Sequence, residues 1–188
     1  VLINDHSEDN FLNVLSGYND KRIKIYNLPV QLKGKKAALR YAVSKAEGEI
    51  LLFTDADCLV KEKWIEIMVS TMLNESVNMV CGPVEFSKSD SVFTSLFQLE
   101  FMSLTGSGAA GIFLKTPFIC NGANYAVTRS VLNEAMQNMN DRYSSGDDVF
   151  LLHYVSRKYK VKFVKSYESV IETHAPQSLT EFFNQRVR

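Results

Sequence analysis

Short apolar runs alternate along this chain with longer stretches whose apolar residues recur every third or fourth position. That alternation restricts the fold more than any other feature. "VLIN" (1–4) is an apolar run followed by polar residues, the pattern of a buried strand. A short amphipathic segment follows from about Asn10 to Leu15, and "IKIY" (23–26) reads as a second strand. "KGKKAALRYAVSKAEG" (33–48) is a helix with Ala38, Leu39, Ala42, Val43 and Ala46 on one face, and Gly48 stands where a C-terminal cap belongs. "EILLFT" (49–54) is the next strand. "KEKWIEIMVSTML" (61–73) carries Trp64, Ile65, Met68, Val69, Met72 and Leu73 at helical spacing, as a core-packing stripe does. "VNMVCGPVEF" (77–86) is a further strand, punctuated by Gly82-Pro83. This order predicts an α/β fold with a mainly parallel central sheet flanked by helices. In such sheets, ligand sites gather at the carboxyl ends of strands.

Composition narrows the function classes. The 188 residues are 46% hydrophobic and 22% charged, which suits a single domain over 1–188 with a substantial core. Lys plus Arg and Asp plus Glu are 21 each, so no basic excess points to nucleic acid. Cys58, Cys81 and Cys120 are widely spaced and form no C-x-x-C, so neither a disulfide framework nor a zinc site is expected. A reduced, cytosolic setting is the simplest expectation. Nothing reads as a signal peptide, and no apolar run reaches the roughly 18 residues of a membrane span. "VLIN" opens inside a strand and "QRVR" closes inside a helical pattern, so the chain reads as an excised piece of a longer one.

The chemistry concentrates in acidic pairs. Asp55 and Asp57 end the apolar run Ile50–Phe53, one residue apart. A lone D-x-D is more often a solvated turn or a helix cap. Here a strand end holds the pair, and close carboxylates repel unless a cation joins them. Hard carboxylate oxygens suit Mg²⁺ or Mn²⁺, bound through one or two carboxylates plus substrate phosphates. Asp147-Asp148 follows Gly146 and precedes "VFLL", at a predicted helix start. Capping and helix-dipole support explain one acid there; a second is free to serve as a general base. The stretch 92–118, rich in Phe, Leu and Gly, is either a buried helix with a glycine loop or an amphipathic segment on a membrane surface. "NGANYAVTRSVL" (121–132), "SGDDVFLLHYVSRKY" (145–159), strand-like "VKFVKSYESVIETHA" (161–175) and a helix from about Leu179 complete the chain.

These motifs, in this order, resemble the family 2 glycosyltransferases of GT-A fold, in particular the membrane-associated cellulose- and hyaluronan-synthase-like branch. "VLINDHSED" is similar to the family's strand followed by D-D-x-S-x-D. "GKKAALRYAVSKAEGEILLFTDADC" is similar to its G-K-x-x-A-L-N-x-A segment running to D-A-D. "NGANYAVTRSVL" resembles its acceptor-side G-A-N-x-A-x-R-R-x-x-L, "SGDDVFL" its E-D-x-x-L, and "QRVR" its Q-x-x-R-W, cut one residue short. The resemblance implies an inverting transferase of hexosyltransferase type. It would move sugar from a nucleoside-diphosphate donor, with UDP expected, to a saccharide or lipid-linked hydroxyl in polysaccharide or cell-wall synthesis. It implies that Asp5, with Asn4, meets the nucleotide base and that Lys35 lies on the nucleotide side. Asp57 would be the direct metal ligand, Asp55 would lie nearer the ribose or sugar, and Asp148 would be the base beside Asp147. Gln185, Arg186, Arg188 and Asn124 would line the diphosphate or acceptor channel. Residues 1–90 would form the nucleotide-sugar half and 91–188 the acceptor half.

Departures from the family pattern are Asn4 for the first Asp, Asp147 for the usual Glu and Arg40 where Asn is common. The family's first strand, which precedes residue 1, and the Trp after Arg188 are missing, so the piece on its own is expected to fold but not necessarily to turn over. His174 could complete the metal site, although a hydrogen-bonded loop histidine is the commoner role. Cys58 reads as a small packed thiol. Two alternatives remain: a haloacid-dehalogenase-type phosphatase, which also uses strand-D-x-D, and a non-catalytic nucleotide-binding domain. Against the phosphatase, Leu59 stands where Thr or Val is usual, and Val149 to Leu152 offer no downstream acid. The resemblance also places the parent at the cytoplasmic face of a membrane, held by helices outside this stretch.

Overall fold

The computed structural model describes residues 1–18, 20–87, 92–138 and 146–187; the side chains of Leu12, Ser16 and 185–187 are not described. Two compact units form, Val1–Gly48 and Glu49–Arg188.

In the first unit, β1 (Leu2–Asn4) pairs in parallel with β2 (Ile25–Asn27), Ile3 opposite Tyr26. Helix α1 (Phe11–Ser16) lies between them in sequence, and α2 (Lys35–Lys45) follows and packs on β1. Val43 on α2 and Leu28 after β2 are buried. The opening run is less buried than an apolar strand predicts: Val1 and Leu2 are exposed. The cap of α2 falls earlier than Gly48, at extended Ala46, whose N–H reaches back to the Ala42 carbonyl. Ala46 ends the helix by leaving the helical backbone, which needs no left-handed glycine.

The second unit holds the core. Its main sheet has the order β3 (Ile50–Phe53), β6 (Tyr125–Thr128), β4 (Met79–Cys81), β7 (Val161–Phe163). β6 runs antiparallel to both neighbours, while β4 and β7 are parallel. The predicted strand 77–86 is two strands, because Gly82-Pro83 breaks the ladder. β5 (Val84–Phe86) leaves to pair in parallel with β8 (Ile171–Thr173). Three of the five described strand pairs are therefore parallel, in an α/β arrangement with flanking helices.

Helix α3 (Trp64–Asn74) buries Trp64, Met68 and Met72, one stripe of an amphipathic helix. Helix α4 (Val92–Phe113) crosses β5. Phe101 stacks on Phe86 at 4.3 Å, and Thr105 Oγ1 donates to the Val84 carbonyl at 3.3 Å. Phe97 stacks in turn on Phe182 of α7 (Leu179–Val187) at 4.4 Å. Burying an aromatic pair of this kind stabilises by several kcal/mol, on the order of 2 per side chain. The expectation of an either-or for 92–118 resolves into two faces. Phe97 and Phe101 point inward at 6% and 9% exposure, Leu104 is half-buried, and Phe93 and Leu96 are 60% and 57% exposed.

Helices α5 (Arg129–Asn138) and α6 (Asp147–Lys158) are joined by Glu134, which accepts from Lys158 Nζ at 2.9 Å, Tyr154 Oη at 2.7 Å and Tyr159 Oη. The Tyr159 bond, then those from Lys158 and Tyr154, hold the Glu134 carboxyl down at about 2, against an ordinary 4.5. A carboxyl lowered on folding stabilises above its unfolded value and loses that contribution as pH falls towards its folded one. Unfolding followed by circular dichroism should therefore show stability dropping between about pH 4.5 and pH 2, and Glu134→Gln should flatten that part of the profile. An unchanged profile in Glu134→Gln would show that this carboxylate does not link the helices.

Candidate active site

The site-bearing edge follows from the direction of β6. Because β6 is antiparallel between β3 and β4, its first residue, Tyr125, lies opposite Phe53 and Cys81, the last residues of those strands. The Phe53 and Tyr125 rings stack at 4.5 Å and 11°. The segment Cys120–Asn124 thus arrives at the edge where β3 delivers Asp55 and Asp57.

The D-x-D forms a turn closed by the Cys58 N–H donating to the Asp55 carbonyl at 3.2 Å. Leu59 pins it to β8: its N–H donates to the Glu172 carbonyl at 2.8 Å, and the Glu172 N–H returns to the Leu59 carbonyl at 3.0 Å. Asp55 is half-buried and Asp57 exposed. Burial pushes the Cys58 thiol up, a bond to Thr173 opposes this, and the charges of Asp57 and Asp55 add to the rise. Cys58 is therefore a poor nucleophile and acts as packing for the turn. His174, one residue past Thr173, is exposed. Among the described residues no three His, Cys, Asp or Glu side chains assemble a metal cage. A bare carboxylate pair fits Mg²⁺ or Mn²⁺, which fill their remaining positions with phosphate and water, and does not fit a closed structural zinc.

Asp148 sits in the first turn of α6, entered from left-handed Gly146 at φ 84°. Asp148, Leu151, Leu152 and Val155 share one helical face by their spacing, and the last three are buried. Asp148 heads the inward face, and Asp147 falls beside it. The Asp148 carboxylate accepts the Val149 N–H at 2.9 Å, and Cys120 Sγ donates to the Asp148 main-chain oxygen at 3.4 Å. Burial pushes the Tyr125 phenol well up, and the Asp148 charge adds to it. Cys120 is also raised, first by its bond to Cys81, then by burial.

One assignment needs correcting. Asn124 does not line an acceptor channel; it is fully buried. Its Oδ1 accepts from Trp64 Nε1 at 3.0 Å, and its Nδ2 donates to the carbonyls of Pro83 at 2.7 Å and Ser169 at 2.8 Å. Its main-chain oxygen accepts the Gly82 N–H at 2.8 Å. A side chain engaged in this way has nothing left for substrate. Gly82 is obligatory beside it, since a Cβ there would stand 2.4 Å from Asn124 Nδ2.

The first unit carries the nucleotide-side candidates. Asp5 Oδ2 accepts the N–H of Gly34, the N-cap of α2, at 2.9 Å, next to Lys35. Asn4 accepts the Ser7 N–H at 2.9 Å and donates to Asn27 at 2.9 Å, and His6, at φ 56°, lies 3.0 Å from the Leu32 carbonyl. Gln185 and Arg186 belong to α7, and Arg188 lies outside the described residues. Sequence reasoning missed the contact of Gly122 and Cys120 with Asp148. The motif that contains them was visible, but nothing in its spacing linked it to "SGDD".

Solved structures share this fold. S. aureus TarS in complex with UDP-GlcNAc superposes over 96% of this chain and 50% of its own, with TM-score 0.66 and 14% identity. Glucosyl-3-phosphoglycerate synthase from Mycobacterium tuberculosis, solved with Mn²⁺ and UDP-glucose, covers 97% of this chain and 62% of its own at TM-score 0.58 and 17% identity. The architecture is that of the GT-A glycosyltransferases. Residues 1–136 match the family described as "Glycosyl transferase family 2", and the chain belongs to that family. A probable glycosyltransferase, YdaM, of Bacillus subtilis is 20% identical over the whole chain, and a cholesterol galactosyltransferase of Borreliella burgdorferi is 25% identical over 89% of it. The chain spans about half the length of these relatives, 46% and 49%.

The Asn124 hub yields a stability test. Asn124→Ala removes the partner of the Trp64 N–H and of the Ser169 carbonyl in a buried site, while the Pro83 carbonyl keeps the Ile171 N–H, and should cost about 3 kcal/mol in urea unfolding. A loss below about 1 kcal/mol would mean that water replaces the amide and that the hub is not structural.

Proposed function

We propose that the protein is an inverting, metal-assisted transferase that moves a sugar from a UDP-sugar to a hydroxyl of a saccharide or lipid-linked acceptor. The observation that carries this reading is that, in a family 2 chain, the segment bonded to Asp148 through Cys120 arrives at the sheet edge from which β3 delivers the D-x-D turn. Asp57, with Asp55, would hold a divalent cation, which would supply positive charge at the diphosphate leaving group. Asp148 accepts the proton of the acceptor hydroxyl as its oxygen bonds to the anomeric carbon. The bond to the diphosphate oxygen breaks on the opposite face, so the configuration inverts in one displacement. In the first unit, Asp5 and Asn4 contact the nucleotide base. Lys35 opens α2, where a cation runs against the helix dipole, a placement that suits an anionic ligand. Gln185, Arg186 and Arg188 attend the diphosphate or acceptor. Residues 1–90 serve the donor and 91–188 the acceptor. His174 is a further candidate ligand of the divalent cation.

The solved relatives that bind Mn²⁺ and UDP-sugars support this donor chemistry. Family membership removes the phosphatase alternative. A non-catalytic nucleotide-binding domain would bind UDP and release none from donor plus acceptor. Calorimetry with Mn²⁺ and UDP should show Asp57→Ala losing metal-dependent affinity, and retention of that affinity would remove Asp57 from the metal site. In the full-length enzyme, Asp148→Asn should slow transfer by about 10²–10⁴ with UDP binding intact. Full transfer in that variant together with loss in Asp147→Asn would reverse the two roles.

The cellulose- and hyaluronan-synthase-like branch and a place at the cytoplasmic face of a membrane belong to the same reading. Among the described residues no helix is long and apolar enough to cross a membrane. The support is α4, whose outward Val92, Phe93, Leu96, Leu99, Met102 and Phe113 are exposed, with the half-buried Glu100 as the one charge among them. Such a face lies on a bilayer and does not span it. Co-sedimentation with anionic vesicles should fall at least about tenfold in Leu96→Ser/Leu99→Ser. Substitutions at Phe97 or Phe101 would damage the core and test nothing. Unchanged vesicle binding, or none in the parent enzyme, would end the membrane assignment of α4.

A further inference from the structure

We propose that Gly122 is a positioning residue for the Asp148 carboxylate, its missing side chain setting where Oδ2 stands. This rests on the reading of Asp148 as the base.

Glycine is not needed at 122 for backbone freedom, since its φ lies outside the left-handed region that Gly34 and Gly146 occupy. Space is the reason. A Cβ at 122 would meet Asp148 Oδ2 at 3.0 Å, Cγ at 3.4 Å and Cβ at 3.5 Å, and these are its three nearest neighbours. At such a distance one side must give by a few tenths of an ångström. The segment around Gly122 is the stiffer side. The Ala123 N–H donates to Asn121 Oδ1 at 2.9 Å, and the Asn124 N–H donates to the Asn121 carbonyl at 3.1 Å. Asn124 is locked to Trp64, Pro83 and Ser169, and Cys120 is tied to the Asp148 main chain. The backbone of Asp148 is fixed at both ends of its contact, by Cys120 and by the buried Leu151 and Leu152 one turn on. Oδ1 is held by the Val149 N–H at 2.9 Å, so what gives is the torsion of the carboxylate, which carries Oδ2. A methyl group at 122 would therefore push Oδ2 out of line for the acceptor proton, and small misplacements of a reacting group are costly in rate.

The test uses the full-length enzyme, with UDP release from UDP-glucose and UDP-N-acetylglucosamine as readout. Gly122→Ala should lower kcat about tenfold, with donor KM, Mn²⁺-dependent UDP affinity and thermal midpoint unchanged, and Gly122→Ser should lower it further. The Gly122→Ala/Asp148→Asn double variant should be no slower than Asp148→Asn alone, because the alanine acts only through the carboxylate it displaces. Multiplying losses in the double variant, a raised donor KM with intact kcat, or wild-type turnover in Gly122→Ala would each overturn the proposal. A crystal structure of Gly122→Ala decides it without turnover: an unmoved Asp148 carboxylate refutes it, and a displaced one supports it. Wild-type turnover in Asp148→Asn alone would instead defeat the base assignment, a result the single variants separate from a failure at Gly122.

Discussion

The buried amide of Asn124 is the interaction on which the candidate-site edge of the sheet depends. It joins four parts of the second unit that are distant in sequence: Trp64 at the start of α3, Pro83 between β4 and β5, Ser169 before β8, and the segment leading into β6. Each donor and acceptor of the side chain is used. In a buried site a half-satisfied amide would cost more than it contributes, whereas a satisfied one fixes a single arrangement. The D-x-D turn is bound to β8 through Leu59 and Glu172, and Asp148 to the β6 approach through Cys120. Both carboxylate sets are thus referred to the same anchored frame.

The antiparallel run of β6 gives that frame its use. A parallel strand between β3 and β4 would have delivered its preceding loop to the opposite edge, away from Asp55. Reversal brings Cys120–Asn124 to the carboxyl ends of β3 and β4, where α/β sheets place their ligands. The stacked rings of Phe53 and Tyr125 seal the sheet beneath the acids. Tyr125 and Cys120 are both shifted towards their protonated forms, so these two neighbours of Asp148 remain neutral.

Periodicity made α2, α3 and β3 legible, because the two helices each keep one apolar stripe and β3 is a plain apolar run followed by acids, whereas β6 and α5 stood only as a motif and 161–175 read as one strand-like stretch where β7 and β8 are separate. Residues at those strand and helix ends were legible too: Asp57 ends β3, and Asp148 shares the inward phase of Leu151 and Leu152. Other features were hidden for identifiable reasons. Asn124 looked like a substrate contact because a polar residue in a functional motif gives no sign of burial. Only the tertiary partners of its amide show that it is a core residue. Gly122 carried no signal of its contact with Asp148, since the two meet across many residues and glycine has no side chain to pattern. The direction of β6 is likewise absent from its own four residues. α4 misled in another way. Its inner and outer faces are both apolar, so no hydrophobic contrast marks which side meets the core.

That double-sided helix bears on how the rest of the unit is held. The inner face of α4 contacts β5 through Phe101 and Thr105 and, through Phe97, contacts Phe182 on α7. α7 carries Gln185 and Arg186 in its backbone, so α4, with Glu100 among the apolar residues of its outer face, packs on the helix that bears the candidate diphosphate-side residues. Phe182 also packs on the core cluster that holds Phe97 and Phe101. The Asn124 amide bears on the strand under α4, since Pro83 leads into β5, on which Phe101 and Thr105 of α4 rest. Trp64, Phe86, Phe97, Phe101 and Ala123 pack in one apolar cluster with Cys58 and Phe182 against it, so the D-x-D turn and the start of α7 lean on the same core.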